Sequence, residues 1–347
     1  MTGLTSFWWR RQEPWWLELF LWPLTLASYG YAAGAWLSRT LARPVRVSVP
    51  VISVGNLTVG GAGKTPVVLA IAERLLLRGR KPAVLSRGYG RISRERCVEV
   101  LEDSSADRCG DEPLLIKRRL PALLVLVGPR RALLAEEAVR RGADVILLDD
   151  GLQHHALARN LDVVVFDASN PLGNGRLLPR GPLRELPATQ ARLQRVLTWF
   201  TRCEPGRPPL LTGPVVESAF EARAPDSRLR GARAFLFAGV ARPASFEDTV
   251  RGLGAEVVGT RWFSDHHRFR PGELLTVRRE AERAGAGLLV TTEKDFVRLA
   301  PGDLSGTLPL VAVPVSLRIS RGEEALEEAL EKALEAALEA VLPVVSR

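Results

Sequence analysis

The sequence predicts an α/β protein: a P-loop NTPase-like domain on a parallel sheet, a second, smaller α/β domain, and an apolar helix at the N-terminus. Three observations carry this reading. From about residue 47 to 200, continuous apolar runs rich in β-branched residues alternate with segments of helical spacing, the pattern of parallel strands buried on both faces. A glycine-rich turn, Thr58-Val59-Gly60-Gly61-Ala62-Gly63-Lys64-Thr65, joins the first run to the first helical segment. Ahead of it, the stretch from Trp15 to Leu37 has Glu18 as its only charge.

At 347 residues the chain can bury more than one core. A net charge of +9 suits nucleic acid, an anionic membrane or a phosphorylated substrate. The basic residues are spread along the chain and only three Tyr are present, which speaks against an aromatic and basic platform and so against nucleic acid as a partner. Cys97, Cys109 and Cys203 have neither metal nor disulfide spacing and point to a reducing compartment.

Trp8, Trp9, Trp15, Trp16, Trp22 and Trp36 are six of the eight tryptophans, and Trp concentrates at membrane interfaces. A signal peptide fits the basic start and Ala32-Ala33-Gly34-Ala35, but would carry a nucleotide-binding loop away from ATP. A spanning helix has the length, but Glu18, Pro23 and Gly30 interrupt it. A helix in the cytoplasmic face of a membrane fits the scattered Trp and the flanking Arg39 and Arg43. A core or dimer-interface helix is the remaining alternative.

In the first domain, residues 47–54, 81–86, 123–127, 144–149, 161–166 and 195–199 are predicted strands. Residues 65–78, 112–119 and 131–140 are predicted helices. Ligands of such sheets bind beyond the carboxyl ends of the strands. The glycine-rich turn lies at one such end. Its N–H groups would point at phosphate oxygens, Lys64 would face the β- and γ-phosphates, and Thr65 would offer a hydroxyl to Mg²⁺. Its first position is Thr58, where that pattern has glycine. Asp149-Asp150 closes another strand and precedes Gly151-Leu152-Gln153-His154-His155; paired carboxylates there suit Mg²⁺.

Gly110-Asp111-Glu112-Pro113 reads either as a helix cap or as an acidic group with a part in chemistry. The glycines of Ser86-Arg87-Gly88-Tyr89-Gly90 allow close backbone approach. Residues 170–186 are too rich in Gly and Pro for regular structure, and Arg176, Arg180 and Arg184 offer planar donor forks to phosphate.

Residues 203–231 are polar and Pro-rich and read as a linker or hinge. Beyond them, strands at 234–239, 255–259, 287–292 and 308–315 alternate with helices at 243–252 and 271–284. An amphipathic helix at 323–342 ends the chain. The four histidines form two adjacent pairs, 154–155 and 266–267, without the spacing of a helical zinc site; acid–base or hydrogen-bond roles remain. Thr291-Thr292-Glu293-Lys294-Asp295 is close to a guanine-reading Asn-Lys-x-Asp pattern, but Lys294 directly precedes Asp295 and the spacing fails.

Taken together these motifs resemble one family, the tetraacyldisaccharide 4'-kinases, which phosphorylate the lipid A precursor. The stretches that carry the resemblance begin with residues 55–66, Ser86 to Gly90, Gly110 to Pro113 and Asp149 to His154. They continue with Gly175-Arg176-Leu177-Leu178-Pro179, Gly181-Pro182-Leu183-Arg184-Glu185, Phe237-Ala238-Gly239-Val240-Ala241-Arg242-Pro243, Asp265-His266-His267 and Thr292 to Asp295. Thr58 is itself a feature of that family.

The resemblance implies ATP and Mg²⁺ as cofactors. It implies transfer of the γ-phosphoryl to the 4'-hydroxyl of an acylated glucosamine disaccharide 1-phosphate, at the cytoplasmic face of the bacterial inner membrane. It assigns Asp111 as base with His266 as its partner. Lys64 and Thr65 match the phosphate and metal contacts, and Asp149, Asp150, Gln153 and His154 the metal and active-site cluster. Arg131, Arg184 and Glu185 match further functional positions. The expected boundaries are 1–44 for the membrane-associating helix, 45–202 for the P-loop kinase domain, 203–231 for the linker and 232–347 for the C-terminal α/β domain. Two other readings stay open: a membrane-associated switch NTPase, and a kinase or synthetase of soluble metabolites.

Overall fold

The structure is a computed structural model. It describes all residues except 1–5, 10–14, 189–192, 194, 204–212, 223–226, 241, 265–266, 271, 301, 303–305 and 342–347, and the side chains of 6, 227 and 337–341. The chain begins with a short turn at Ser6–Trp9 and the helices α1 (Trp15–Phe20) and α2 (Trp22–Leu41). Pro23 sits in the first turn of α2, where a missing N–H breaks no helical bond.

The main body follows as β1 (Val51–Gly55), α3 (Lys64–Leu77), β2 (Pro82–Ser86), β3 (Val98–Glu99), α4 (Ala106–Cys109), α5 (Asp111–Arg119), β4 (Leu124–Val127), α6 (Arg131–Arg140), β5 (Val145–Asp149), β6 (Leu161–Asp167), β7 (Val196–Thr201) and β8 (Val215–Ala222). A second unit comprises β9 (Arg233–Ala238), α7 (Pro243–Gly252), β10 (Glu256–Trp262), α8 (Glu273–Arg283), β11 (Leu288–Thr292), α9 (Glu293–Phe296) and β12 (Leu310–Val313). The chain then closes with β13 (Val315–Arg321) and α10 (Glu323–Val341).

The large sheet has the order β13-β8-β7-β6-β1-β5-β2-β4-β3. Its strands from β8 to β4 are parallel, and β13 and β3 are antiparallel edges. Every residue of β1, β2 and β5 is buried, so these strands read as unbroken apolar runs. β1 starts later than expected because Pro50 has no N–H to give the ladder. One face is covered by α3, α5 and α10, the other by α6 through Leu134, Ala135 and Ala138. The second sheet, β10-β9-β11-β12, is parallel throughout and has its own cores.

Two expectations are corrected. The segment read as a linker, 203–231, contains β8, a strand of the large sheet. The end of the chain does not stay with the second unit: β13 pairs with β8, and Leu326, Leu330 and Ala333 of α10 are buried in the main core. The second unit is therefore an insertion between two neighbouring strands of the large sheet. β8 and β13 escape a search for continuous apolar runs because β8 buries only two of its residues and β13 none fully.

Helix α1 has no buried residue and α2 only Ser28. Trp15, Trp16, Phe20, Trp22, Leu26, Tyr29 and Trp36 are all exposed, Trp15 to 78%. This is not a core helix of the chain. No helix among the described residues is long and apolar enough to cross a membrane.

Candidate active site

The site is built where β1, β2 and β5 end. The turn after β1 leads into α3, whose N-cap is Gly63 with φ 86° and no side-chain cap. A Cβ at Gly63 would also come within 2.9 Å of the Phe220 ring, so both backbone and space demand glycine. With no side chain capping the helix, its first N–H groups are left for an anion.

The turn is held from outside. Thr201 donates its hydroxyl to the Ala62 carbonyl at 2.8 Å, and Arg202 donates to the Gly61 carbonyl at 3.3 Å. Val59 N–H donates to the Pro182 carbonyl at 2.8 Å, and Thr58 bridges Leu183. Thr58 is buried, forms this bridge at a negative φ, and receives the Asn56 amide N–H at 3.3 Å, so a glycine is not needed there. Asn56, a residue not singled out from the sequence, also accepts from Lys64 Nζ at 3.1 Å. Thr65 is buried at the start of α3.

Two carboxylates meet this turn and differ in environment. Asp149 is buried at the end of β5; Ser86 donates to its Oδ2 at 3.0 Å, while Oδ1 has no hydrogen-bond partner among the described residues. Burial, then the charges of Glu112 and Asp150, push its carboxyl well above the usual carboxylate range. Asp150 lies 3.4 Å from Lys64 Nζ, and Arg184 Nη1 is 3.0 Å from both its oxygens. Burial raises its pKa, but the Lys64 and Arg184 cations outweigh this and hold it below the usual carboxylate range. Its φ of 52°, rare outside glycine, aims it back at the turn.

Gln153 ties the parts together, accepting from Arg184 at 3.2 Å and donating to the Asn56 carbonyl at 3.2 Å. His154 is half-buried next to Arg131, which opens α6 and is itself buried. Burial, then Arg131 and Arg159, pull the His154 imidazole down to about 4, so it is neutral near pH 7. A cleft beside them is lined by Arg87, Gly88, Tyr89, Gly90, Arg91 and Pro129.

The structure thus brings together Thr58, Lys64, Thr65, Asp149, Asp150, Gln153, His154, Arg131 and Arg184. Glu185 faces elsewhere: it is buried in an ion pair with Arg39 of α2 and anchors the N-terminal helix. Asp111 is the first residue of α5 rather than its cap, which is Gly110. Its Oδ1 accepts the Glu112 N–H at 3.0 Å, and its Oδ2 accepts from Arg298 of the second unit. Arg298 was not legible from the sequence; its one signal is its place three residues after Asp295. His266 lies outside the described residues.

Among the described residues no three His, Cys, Asp or Glu side chains form a preformed metal cage. Mg²⁺ needs none, since it takes one or two carboxylates together with phosphate oxygens and water. The unpartnered oxygen of Asp149 and the Asp150 carboxylate fit that demand.

Fold and site define an α/β protein with a charged cluster at the carboxyl end of a parallel sheet, beside a glycine-rich turn and an inserted second unit. The family model described as tetraacyldisaccharide-1-P 4'-kinase matches residues 17–335. A tetraacyldisaccharide 4'-kinase of Anaeromyxobacter dehalogenans is 46% identical, with 94% of each chain covered. One of a Methylobacterium species is 40% identical over 92% of this chain and 94% of its own. Among solved structures, the "apo" form of LpxK from Aquifex aeolicus in complex with ATP is similar, with a TM-score of 0.74 and 29% identity over 92% of this chain and 99% of that one. The chain belongs to the tetraacyldisaccharide 4'-kinase family.

Proposed function

We propose that the chain transfers the γ-phosphoryl of ATP to the 4'-hydroxyl of a tetraacylated glucosamine disaccharide 1-phosphate, giving lipid IVA in lipid A biosynthesis. The observation that carries this is the meeting of Lys64, Asp149, Asp150 and Arg184 at the glycine-rich turn, in a chain of this family. Phosphoryl transfer has a loose transition state, so the protein mainly positions the reactants and neutralises charge.

In this reading the turn from Thr58 to Thr65 is the phosphate-binding loop. Its N–H groups and the start of α3 receive the phosphates, and Lys64 leaves Asp150 to meet them. Asp149, Asp150 and the Thr65 hydroxyl would hold Mg²⁺, which supplies charge neutralisation at the phosphates when bound. Asp111 takes the proton of the 4'-hydroxyl, with His266 as its partner, and Arg131 and Arg184 balance phosphate charge. Gln153 and His154 hold the nucleotide side of the cluster. The exposed tryptophans of α1 and α2 lie in the cytoplasmic leaflet of the inner membrane, where the acyl chains of the substrate are found.

The switch NTPase has no support in the geometry. Asp295, which would read a base, is wholly buried on Gly239 N–H, Thr292 and Arg298. The test is incubation with Mg²⁺, γ-labelled ATP and either the acceptor or its 4'-deoxy analogue. Label enters the first lipid only. Label in both, or brisk ATP turnover with no labelled lipid, overturns the proposal.

A further inference from the structure

Among the described residues, the second unit meets α5 at the short helix α9 and the turn after it. Three ion pairs cross there: Arg119 with Glu293 at 2.8 Å, Lys294 with Glu112 at 3.9 Å, and Arg298 with Asp111. The first two are partly exposed, with side chains 20–30% accessible; the third is closed off, with 6% for Arg298 and 9% for Asp111. Ion pairs that are open to water hold little, whereas a buried guanidinium fixes the carboxylate it meets.

The guanidinium is itself aimed. Its Nε donates to Asp111 Oδ2 at 3.0 Å, with Nη2 on the same oxygen, while Nη1 donates to Asp295 Oδ1 at 2.9 Å. Asp295 is held in turn: its Oδ2 accepts from Gly239 N–H at 3.0 Å and from the Thr292 hydroxyl at 2.7 Å. The turn Thr292-Glu293-Lys294-Asp295, which the guanine-reading pattern left without a role, is thus a mount for Arg298.

We infer that Arg298 is a positioning residue that acts through Asp111, and that Asp295 sets its direction. The inference rests on Asp111 being the base of the proposed transfer. A lone arginine on a base would sap its affinity for a proton. Here two carboxylates share one guanidinium, so its charge is divided between them while the Asp111 carboxyl is locked in rotation. The acceptor proton leaves late in a loose transition state, so a base that is weak but fixed in place serves the reaction.

The experiment is a double-mutant cycle on kcat with Mg²⁺-ATP and the lipid acceptor. Arg298→Ala should lower kcat by about 10²-fold with the KM for ATP within twofold of wild type, since misplacing a reacting group costs that much. Arg298→Lys should recover part of the loss. In an Asp111→Asn background, Arg298→Ala should add no further loss, because its effect runs through a group already disabled. Asp295→Asn, which leaves Arg298 paired with Asp111, covers the case in which Arg298→Ala fails to fold. It should lower kcat and likewise be silent in the Asp111→Asn background.

Arg119→Ala breaks a neighbouring pair between the units and should leave kcat unchanged. Losses that multiply in the cycle, or an equal loss in Arg119→Ala, reduce Arg298 to a contact between units and overturn the inference. Absence of phosphoryl transfer by the wild-type chain overturns the functional proposal itself, and with it this role.

Discussion

Ser86 donates its hydroxyl to one oxygen of Asp149 and leaves the other buried without a partner among the described residues. A buried carboxylate oxygen without a donor is costly unless a ligand meets it. The pair is therefore half of a coordination site: Ser86 holds one carboxyl oxygen, and the second is left for a ligand.

Asp149→Asn tests this. The substitution keeps the shape and removes a charge that burial opposes, so thermal stability should hold or rise. Mg²⁺-dependent ATP binding, read by calorimetry, should be lost, and kcat should fall by about 10²-fold or more. Full Mg²⁺-dependent binding in the variant would remove Asp149 from the metal site.

His155 gives a pH dependence. Burial, then Arg159 and Arg39, pull its imidazole down to about 4. The unfolded chain takes up that proton near 6.5, so between 6.5 and about 4 the unfolded state binds more protons. Stability is therefore lost as the pH falls through this window. Urea midpoints measured at pH 7, 5.5 and 4.5 should drop more steeply in wild type than in His155→Gln. Parallel slopes would show that His155 is protonated freely in the folded chain.

The N-terminal tryptophans can be tested without cutting the chain. Deletion would also remove Ser28, which donates to the Leu177 carbonyl at 2.9 Å, and Trp8, which donates to the Pro179 carbonyl at 3.1 Å. Replacing exposed Trp15, Trp16, Trp22 and Trp36 by Ser spares those contacts. Each replacement should weaken binding to anionic vesicles by about tenfold or more, with ATP binding unchanged. Undiminished sedimentation with vesicles would place the membrane contact elsewhere.

How far the sequence foretold the structure depended on the range of each interaction. The strands around the site were legible because burial on both faces leaves an unbroken apolar run, and the glycine-rich turn because its backbone restricts which residues fit. β8 and β13 were not, since β8 buries only two of its residues and β13 none fully. Asp111 was legible as a candidate, but its partner Arg298 lies 187 residues away and carries no local signal. Glu185 was placed with Arg184 by the family resemblance, yet the two neighbours take different partners: Arg184 meets Asp150 and Glu185 meets Arg39. Thr58 looked like a missing glycine because a pattern of letters does not record the backbone angle each position needs.

The central claim is that Asp111 takes the acceptor's proton during transfer from ATP. Single-turnover transfer from γ-labelled ATP to the acylated disaccharide 1-phosphate, in wild type and Asp111→Ala, tests it most directly. The account predicts labelled lipid from wild type, a rate about 10²–10⁴-fold lower in the variant, and nearly equal ATP affinity in both. Equal transfer rates in the two proteins would contradict it.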